Sequence, residues 1–306
     1  MRILLYGQAP FAAEVLEGLV SAGDTIAAVV CPVDHGPKPD PVKAAALARG
    51  IPVHQFASLK TAEARQAVET AKADLGVLAY VTQIVPEPLL RIPRHTSICF
   101  HPSLLPRYRG GSAINWQLIR GETRTGVTVF WPDAGIDTGP ILLQREATAG
   151  PDDSAGSLYY RVLYPLGVTT VLDAVALVRE GRAPRIPQDE AHASHDGLCR
   201  DGHARIDWTR PAGEVHNLIR GCDPQPGAHT AWRGGRLRLY DSRRVDLPAG
   251  AASPGTIVAL AEDGVTVATD EGAVRCARLR DGGEKGAAAE VAARIRLAAG
   301  DRFDAR

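Results

Sequence analysis

The chain has 306 residues, of which 45% are hydrophobic and 23% charged, and its formal net charge is zero. This length suffices for two domains, and the composition is that of an ordinary globular protein. No stretch reaches the roughly 18 consecutive apolar residues that a membrane helix needs, so we expect no membrane contact. Nucleic-acid partners are disfavoured, because phosphates are usually met by an excess of Lys and Arg.

The five cysteines are odd in number, widely spaced and without a CxxC pair. We therefore expect neither a disulfide scaffold nor a zinc ribbon, and we expect a reducing compartment. The apolar N-terminal run, Met1–Phe11, is broken at Gly7 and is too short for a signal peptide. Together these features predict a cytoplasmic protein.

The first third of the chain alternates short apolar runs with amphipathic stretches. Apolar runs that end at turn residues are typical of buried parallel strands, and apolar spacing of three and four residues is typical of helices. The alternation predicts a Rossmann-like, doubly wound parallel α/β sheet. The predicted strands are Ile3–Tyr6, Thr25–Cys31, Val53–Phe56, Leu75–Ala79 and Ser97–Phe100, and the predicted helices are Phe11–Ala22, Pro41–Arg49 and Ala62–Lys72.

The residue pattern of the remaining chain changes twice, from helical to aperiodic and then to short strands. A long amphipathic helix is predicted over Ser157–Glu180, and the aperiodic segment 181–205 is interpreted as a linker or surface meander. From about Ala231, short strands separated by Gly and Asp turns predict a small OB-like β-barrel. We therefore place one domain at residues 1–200 and a second at 201–306.

Polar side chains concentrate in the segment Ser97–Gly139. His101 follows a predicted buried strand, and Asp137 lies in the loop after the next predicted strand, Val127–Trp131. In an open α/β sheet, ligands bind at the carboxyl edge, so the two side chains can meet there if the strands are neighbours. A histidine paired with a carboxylate can pass a proton near neutral pH, as acyl transfer to an amine or water requires.

Less specific interpretations apply to the same residues. A lone histidine beside a proline is more often structural, and Arg107 and Arg109 are by default solvated loop charges. Asp137-Thr138-Gly139 is also the tripeptide of aspartic proteases, but that mechanism needs two carboxylates and the tripeptide occurs once. No dinucleotide, P-loop, serine-hydrolase or zinc-protease motif is present. His192, His195 and Cys199 do not form a convincing ligand set, so we predict no metal site.

The sequence HPSLLPRYRG at residues 101–110, with Asp137-Thr138-Gly139 starting 36 positions after His101, resembles the folate-dependent formyltransferases. Within that family, the similarity is to the hydrolase domain of 10-formyltetrahydrofolate dehydrogenases. The resemblance covers nearly the whole chain. Supporting segments are MRILLYGQAPFAAEVL, KPDPVKAAALARGIPV, GSAINWQLIRGE, FWPDAGIDTGPILLQ, LYYRVLYPLGV and EVHNLIRGCDPQPGA.

The resemblance implies a formyltransferase-type domain, a C-terminal OB-like domain and 10-formyltetrahydrofolate as formyl donor, with tetrahydrofolate as product. It implies that His101 stabilises or protonates the tetrahedral intermediate and that Asp137 sets the protonation of His101 and helps to move the proton. It also implies that the pterin lies against the backbone of two segments. The residues expected to bind folate are Leu78, Tyr80, Gln83, Trp131, Asp133 and Gly135.

Cys99 departs from the family pattern, in which an asparagine two residues before the histidine donates to the oxyanion. A thiol is a weak donor, and the loss of one oxyanion donor can lower a rate by about 10²–10³. The hydrolase-domain branch also lacks this asparagine. Cys99 is interpreted as a buried space-filling residue, as a weak donor, or as a nucleophile that forms a thioformyl intermediate.

The formyl acceptor stays open between three hypotheses. The first is transfer to a small-molecule amine or to water. The second is a methionyl-tRNA formyltransferase, which is disfavoured because the loop Cys31–Val42 is short and Lys38 is its sole Lys or Arg. The third is a non-catalytic folate-binding protein. Basic residues in or near the predicted barrel leave a local basic surface open: Arg233, Arg236, Arg238, Arg243 and Arg244.

Overall fold

Buried strands and covering helices build the first part of the chain. The computed structural model describes residues 1–34 and 36–304; His35, which falls in the loop predicted at Pro32–Pro39, lies outside the described residues, as do Ala305 and Arg306. The strands are β1 (Arg2–Gly7), β2 (Thr25–Cys31), β3 (Val53–Gln55), β4 (Leu75–Ala79), β5 (Ser97–His101), β6 (Arg124–Phe130) and β7 (Ile141–Thr148). The helices are α1 (Ala9–Ser21), α2 (Pro41–Ala48), α3 (Ala62–Ala71), α4 (Glu87–Leu90), α5 (Ala113–Ile119), α6 (Ala155–Leu158) and α7 (Tyr164–Arg179).

Over the described residues, these strands form one sheet in the order β3-β2-β1-β4-β5-β6-β7. β1 to β5 pair in parallel, which confirms the predicted Rossmann-like sheet. The strand order reverses between β1 and β4, and a crevice opens at such a point in α/β sheets. β6 runs antiparallel to β5, with His101 opposite Thr128, so the sheet is mixed rather than wholly parallel.

The helical stretch Ala155–Arg179 joins α6, a π-helical turn at Tyr159–Leu163, and α7. By length and apolar content it could cross a membrane. In the first unit, however, α7 packs against strand β5 of the sheet. Gly167 of α7 lies so close to the Phe100 ring of β5 that a Cβ added at Gly167 would be 2.6 Å from it. Its residues Val168 and Val171 are buried. We therefore assign α7 as a core helix of this unit.

The later strands build a second sheet. They are β8 (His229–Trp232), β9 (Gly235–Val245), β10 (Ile257–Ala261), β11 (Gly264–Ala268), β12 (Ala273–Arg280) and β13 (Gly286–Ala287), with helices α8 (Ala212–Gly221) and α9 (Ala288–Arg294). In the described part of the chain the order is β10-β11-β12-β9-β8, and β13 pairs with β12. Trp208 stacks on Phe303 within the core between sheet and helices. This antiparallel sheet confirms the predicted small β domain.

The chain divides into two compact units, and each is made of three segments. The first comprises Met1–Gly111, Gly126–Ala147 and Arg161–Asp196, and the second comprises Ser112–Thr125, Thr148–Tyr160 and Gly197–Arg306. Helix α5 belongs to the second unit because Asn115 donates to the carbonyl of Gly221, at the end of α8, at 2.7 Å. The sequence predicted a single boundary after residue 200, and the structure differs from it by these two internal segments.

Residues 181–205 run along the surface, as a meander would, but the contacts of their first part are not those of a linker. Ile186 makes a backbone bridge to Ile141, and the Tyr108 N–H donates to Ser194 Oγ at 2.7 Å. The Asp196 N–H donates to the carbonyl of Arg109 at 3.1 Å. These residues pair with β7 and with the loop at Tyr108 and Arg109 rather than with each other, so the segment has no helical or strand periodicity. Residues 181–196 therefore hold other parts of the first unit in place, and this segment is called the brace below.

Candidate functional site

His101 is the last residue of β5, and it is 6% exposed. Its Nε2 lies 2.8 Å from the carbonyl oxygen of Tyr108. A carbonyl can only accept, so Nε2 carries the hydrogen and donates it there. This hydrogen bond leaves Nδ1 as the ring nitrogen that can take up and release a proton.

Asp137 faces that nitrogen from the loop between β6 and β7. Its Oδ2 lies 3.5 Å from His101 Nδ1 and accepts a hydrogen bond from the Gly110 N–H at 2.8 Å. Because β6 is antiparallel to β5, strand polarity alone does not bring Asp137 to His101, and the loop 131–139 does so. Asp137 adopts a left-handed backbone conformation with φ of 57°, which is uncommon for a residue other than glycine.

The other carboxylate oxygen of Asp137, Oδ1, has no hydrogen-bond partner among residues 1–34 and 36–304. Its side chain is 18% exposed. One oxygen is thus held by the protein while the second can accept a proton from a bound substrate. The arrangement thus leaves one nitrogen, His101 Nδ1, and one oxygen, Asp137 Oδ1, with the geometry to exchange a proton with a ligand.

Cys99 lies two residues before His101 on β5 and beside Leu78 of β4. Its thiol donates to the carbonyl of Phe100 at 3.6 Å. Burial, with a further contribution from the Asp137 carboxylate, raises the pKa of the Cys99 thiol well above its usual range. A neutral thiol is a poor nucleophile, and its proton is already directed at Phe100. These contacts favour the space-filling interpretation over the thioformyl one.

Arg109 is 6% exposed and is not the solvated loop charge that the sequence predicted. Its guanidinium donates to Gln188 Oε1 from Nε at 3.1 Å and from Nη2 at 2.8 Å. It also makes a bidentate pair with Glu190, at 2.6 and 3.0 Å. Arg109 can be buried because Gln188 and Glu190 take the place of water around its charge. These partners lie 79 and 81 residues further along the chain. Sequence reasoning missed both partners because they lie in the segment predicted as a linker.

The first group of residues expected to bind folate follows β4. Leu78 is 6% exposed, whereas Tyr80 is 43% exposed and has a φ of 60°. The Gln83 side-chain amide donates weakly to the carbonyl of Phe56 at 3.3 Å. Tyr80 and Gln83 are therefore accessible at the carboxyl edge of the sheet, beside the crevice between β1 and β4.

The second group lies in the loop that carries Asp137. Asp133 is exposed and accepts hydrogen bonds from the Gly135 N–H at 3.0 Å and from the Thr138 hydroxyl at 2.5 Å. Trp131 is 4% exposed; its indole donates to Pro184 at 2.9 Å, and its ring is covered by Arg185. The indole of Trp131 therefore anchors the loop rather than facing a ligand.

A narrow cleft, with room for about one water molecule, lies at the carboxyl ends of β1 and β2. No acidic or basic side chain lines it; its lining is Tyr6, Gly7, Gln8, Val30, Pro32, Leu59, Val81 and Gln83. The Tyr6 hydroxyl is buried and has no hydrogen-bond partner within the described chain. Burial raises the pKa of Tyr6, so its hydroxyl stays a neutral donor. The sequence did not single out Tyr6, because a tyrosine within an apolar strand looks like an ordinary core residue.

A metal site is not assembled within residues 1–34 and 36–304: no group of three or more His, Cys, Asp or Glu side chains is placed to hold an ion. His192 instead pairs with Asp189, at 2.9 Å. Cys199 belongs to the second unit, where its backbone N–H donates to Ser112 Oγ at 3.0 Å. The site thus consists of a histidine, a carboxylate and backbone groups at the edge of the first sheet.

Comparison with known families matches most of the chain. The Formyl transferase family profile matches residues 1–168, and the profile of the Formyl transferase C-terminal domain matches residues 200–296. Mitochondrial 10-formyltetrahydrofolate dehydrogenase of Mus musculus is 41% identical over 247 residues, which cover 79% of this chain and 27% of that protein. The chain thus spans about a quarter of the length of such relatives.

A further relative matches along nearly its full length. Methionyl-tRNA formyltransferase of Trichlorobacter lovleyi is 37% identical over 290 residues, which cover 93% of this chain and 90% of that protein. Among solved structures, HypX of Aquifex aeolicus in complex with tetrahydrofolic acid has a TM-score of 0.69 at 20% identity, and the match covers 100% of this chain and 51% of HypX. At that identity the likeness shows the fold alone. The profiles and the relatives confirm the family predicted from HPSLLPRYRG: this chain belongs to the formyltransferase family.

Proposed function

We propose that this chain removes the formyl group of 10-formyltetrahydrofolate and transfers it to a small-molecule amine or to water. The observation that carries the proposal is the pairing of His101 Nδ1 with the Asp137 carboxylate, 3.5 Å apart at the edge of the sheet. Relatives named for reactions of 10-formyltetrahydrofolate, and a neighbour of the same fold with bound tetrahydrofolic acid, support the donor.

The proposed reaction moves one proton. The acceptor nitrogen or oxygen attacks the formyl carbon and gives its proton to Asp137 Oδ1. His101, protonated at Nδ1, donates to the oxyanion of the tetrahedral intermediate. The bond from the formyl carbon to N10 then breaks, and the proton held on Asp137 passes to N10, which restores the carboxylate. With an amine the products are tetrahydrofolate and an N-formyl compound. With water they are tetrahydrofolate and formic acid, which releases one proton to solvent as it becomes formate.

Cys99 shapes the choice of acceptor in this proposal. Its thiol proton is directed at the carbonyl of Phe100, so His101 is the principal donor available to the oxyanion. A missing oxyanion donor lowers rates by about 10²–10³. The reaction then favours an acceptor present at high concentration, such as water, or a strongly nucleophilic small amine.

The test is incubation with 10-formyltetrahydrofolate alone and then with amines, following tetrahydrofolate and formate. Release without an amine, with formate in equal amount, supports hydrolysis. Release that requires an amine supports transfer to that amine. No release under either condition contradicts the enzymatic proposal and favours the folate-binding alternative. Binding of tetrahydrofolate, measured separately, distinguishes that alternative from a protein that does not bind folate.

A methionyl-tRNA formyltransferase is the second candidate, because one relative of that name matches over 90% of its length. The charges of the second unit argue against it: Arg238 pairs with Asp201 at 2.8 Å. Arg236 pairs with the same carboxylate, and Arg243 lies 3.4 Å from Asp152. Binding to initiator tRNA that weakens steeply with salt would favour this candidate. Weak binding without preference for charged initiator tRNA would remove it.

A further inference from the structure

Gln188 occupies the centre of a hydrogen-bond chain that ends at Asp137. Its single side-chain amide donates both hydrogens to the loop that carries the carboxylate, to the carbonyl of Asp137 at 2.8 Å and to that of Gly139 at 2.7 Å. Its Oε1 accepts both hydrogen bonds from Arg109. All donors and acceptors of one amide are thus used on two neighbouring loops of the first unit.

These contacts address a specific problem of the site. Asp137 has a φ of 57°, a left-handed conformation that Asp adopts more often than most L residues but still infrequently, and its Oδ2 faces both Gly110 and His101. A strained residue keeps its conformation only where the surroundings determine it. The Asp137 carbonyl bonded to Gln188, and the carboxylate bonded to Gly110, fix the residue at both ends.

The partner loop is fixed by the same chain. Arg109 immediately precedes Gly110, and its buried guanidinium is held between Gln188 and Glu190. A Cβ added at Gly110 would lie 2.2 Å from the carbonyl of Asp196, so this loop packs closely against the brace. Gln188 therefore couples the backbone that donates to Asp137 with the backbone that carries Asp137.

We propose that Gln188 is a positioning residue for the formyl-transfer reaction: through Arg109 and the carbonyls of Asp137 and Gly139 it holds the Asp137 carboxylate at His101. The proposal rests on the proposed function for its kinetic consequence. Its structural content, that Gln188 orders the loop 131–139, holds whether or not formyl transfer occurs.

Gln188→Glu separates the two halves of this role. Glutamate keeps the acceptor for Arg109 and loses both N–H donors to the loop. Gln66→Glu makes the same chemical change on the exposed face of α3 and is the matched control. Gln188→Met has a similar length and no charge. It shows whether an effect of Gln188→Glu comes from the lost N–H donors or from the new negative charge, and it gives a second variant if Gln188→Glu does not fold.

We expect Gln188→Glu to lower kcat about 10- to 100-fold, because small displacements of a catalytic group have effects of that size. Because the loop 131–139 also carries residues expected to bind folate, the dissociation constant for tetrahydrofolate is measured beside kcat, and kcat is compared at saturating folate so that weaker binding is separated from slower turnover. In an Asp137→Asn background, Gln188→Glu should add less than about a twofold loss, since both changes remove the same positioned group. Additive losses, or a kcat within about twofold of the wild type, overturn the proposal.

Hydrogen exchange of the peptide covering residues 131–140 tests positioning without turnover. Exchange should be faster in Gln188→Glu and Gln188→Met than in Gln66→Glu and the wild type, because the loop loses two hydrogen bonds. If the wild type releases no tetrahydrofolate, the proposed function fails while this measurement still decides the role of Gln188. Unchanged exchange in both variants refutes that role.

Discussion

The backbone N–H of Gly110 donates to Oδ2 of Asp137 at 2.8 Å, on the oxygen that also faces His101. A backbone donor keeps its place when side chains reorient, so it fixes the carboxylate without using a charged partner. It also leaves Oδ1 open. The pair is therefore arranged for proton transfer rather than as a closed salt bridge, and changes to the carboxylate should affect catalysis more than folding.

Asp137→Asn should abolish most turnover while preserving the fold. The amide oxygen can still accept from Gly110, but an amide cannot take a proton from the attacking group. We expect kcat to fall by about 10²–10⁴, the usual contribution of a general base. Steady-state kinetics and the melting temperature measure the two effects, with exposed Asp263→Asn as control. Turnover within tenfold of the wild type would remove Asp137 from the mechanism.

Cys99→Ala should keep substantial activity, because the thiol packs and does not attack. Cys99→Asn should raise transfer to an amine, since its amide supplies the donor that a thiol supplies poorly. The expected gain is at most about 10²–10³, the value of one oxyanion donor. Rates of N-formyl product formation for the two variants measure this. Complete loss of activity in Cys99→Ala with normal folate affinity would contradict the packing role.

Tyr6→Phe should stabilise the protein in the absence of ligands. The Tyr6 hydroxyl is buried without a partner within the described chain. A buried hydroxyl that makes no hydrogen bond destabilises the folded state by about 1–3 kcal/mol, and Tyr6→Phe removes that penalty. Thr128→Val is the contrasting control, because the buried Thr128 hydroxyl donates to the carbonyl of Ser103 at 2.6 Å and accepts from the Leu105 N–H at 3.2 Å, so its loss leaves buried groups unsatisfied and should destabilise. Urea denaturation compares the free energies of unfolding. A less stable Tyr6→Phe protein would mean that the hydroxyl is satisfied by water.

His216 should make the second unit less stable in acid. It is 2% exposed, its Nε2 donates to the carbonyl of Pro151 at 3.0 Å, and Nδ1 lies 2.8 Å from Ser242 Oγ. Burial lowers the pKa of His216 below its usual value. Below about pH 6.5, the unfolded chain therefore binds a proton that the folded chain does not, and unfolding becomes easier.

Thermal melting at pH 7.5 and 5.5 measures this dependence. The wild type should lose more stability on acidification than His216→Asn does. His192→Asn, at a histidine whose side chain is 74% exposed, should keep the wild-type dependence. Equal losses in the wild type and His216→Asn would show that His216 does not titrate in this range.

The sequence predicts the parallel strands and the paired motifs well because their signals are local. Apolar runs that end at turns identify β1, β2, β4 and β5, and His101 is the last residue of β5. The antiparallel direction of β6 has no local signal, because a strand reads alike in either direction. The contacts of Arg109 were missed for a related reason: its partners lie about 80 residues away in an aperiodic segment.

The alternation of chain segments between the two units has a consequence for protein engineering. Each unit is built from three segments, so a cut after residue 200 would strip the second unit of Ser112–Thr125 and Thr148–Tyr160. A chimaera that exchanges the C-terminal unit must therefore replace three pieces of sequence together.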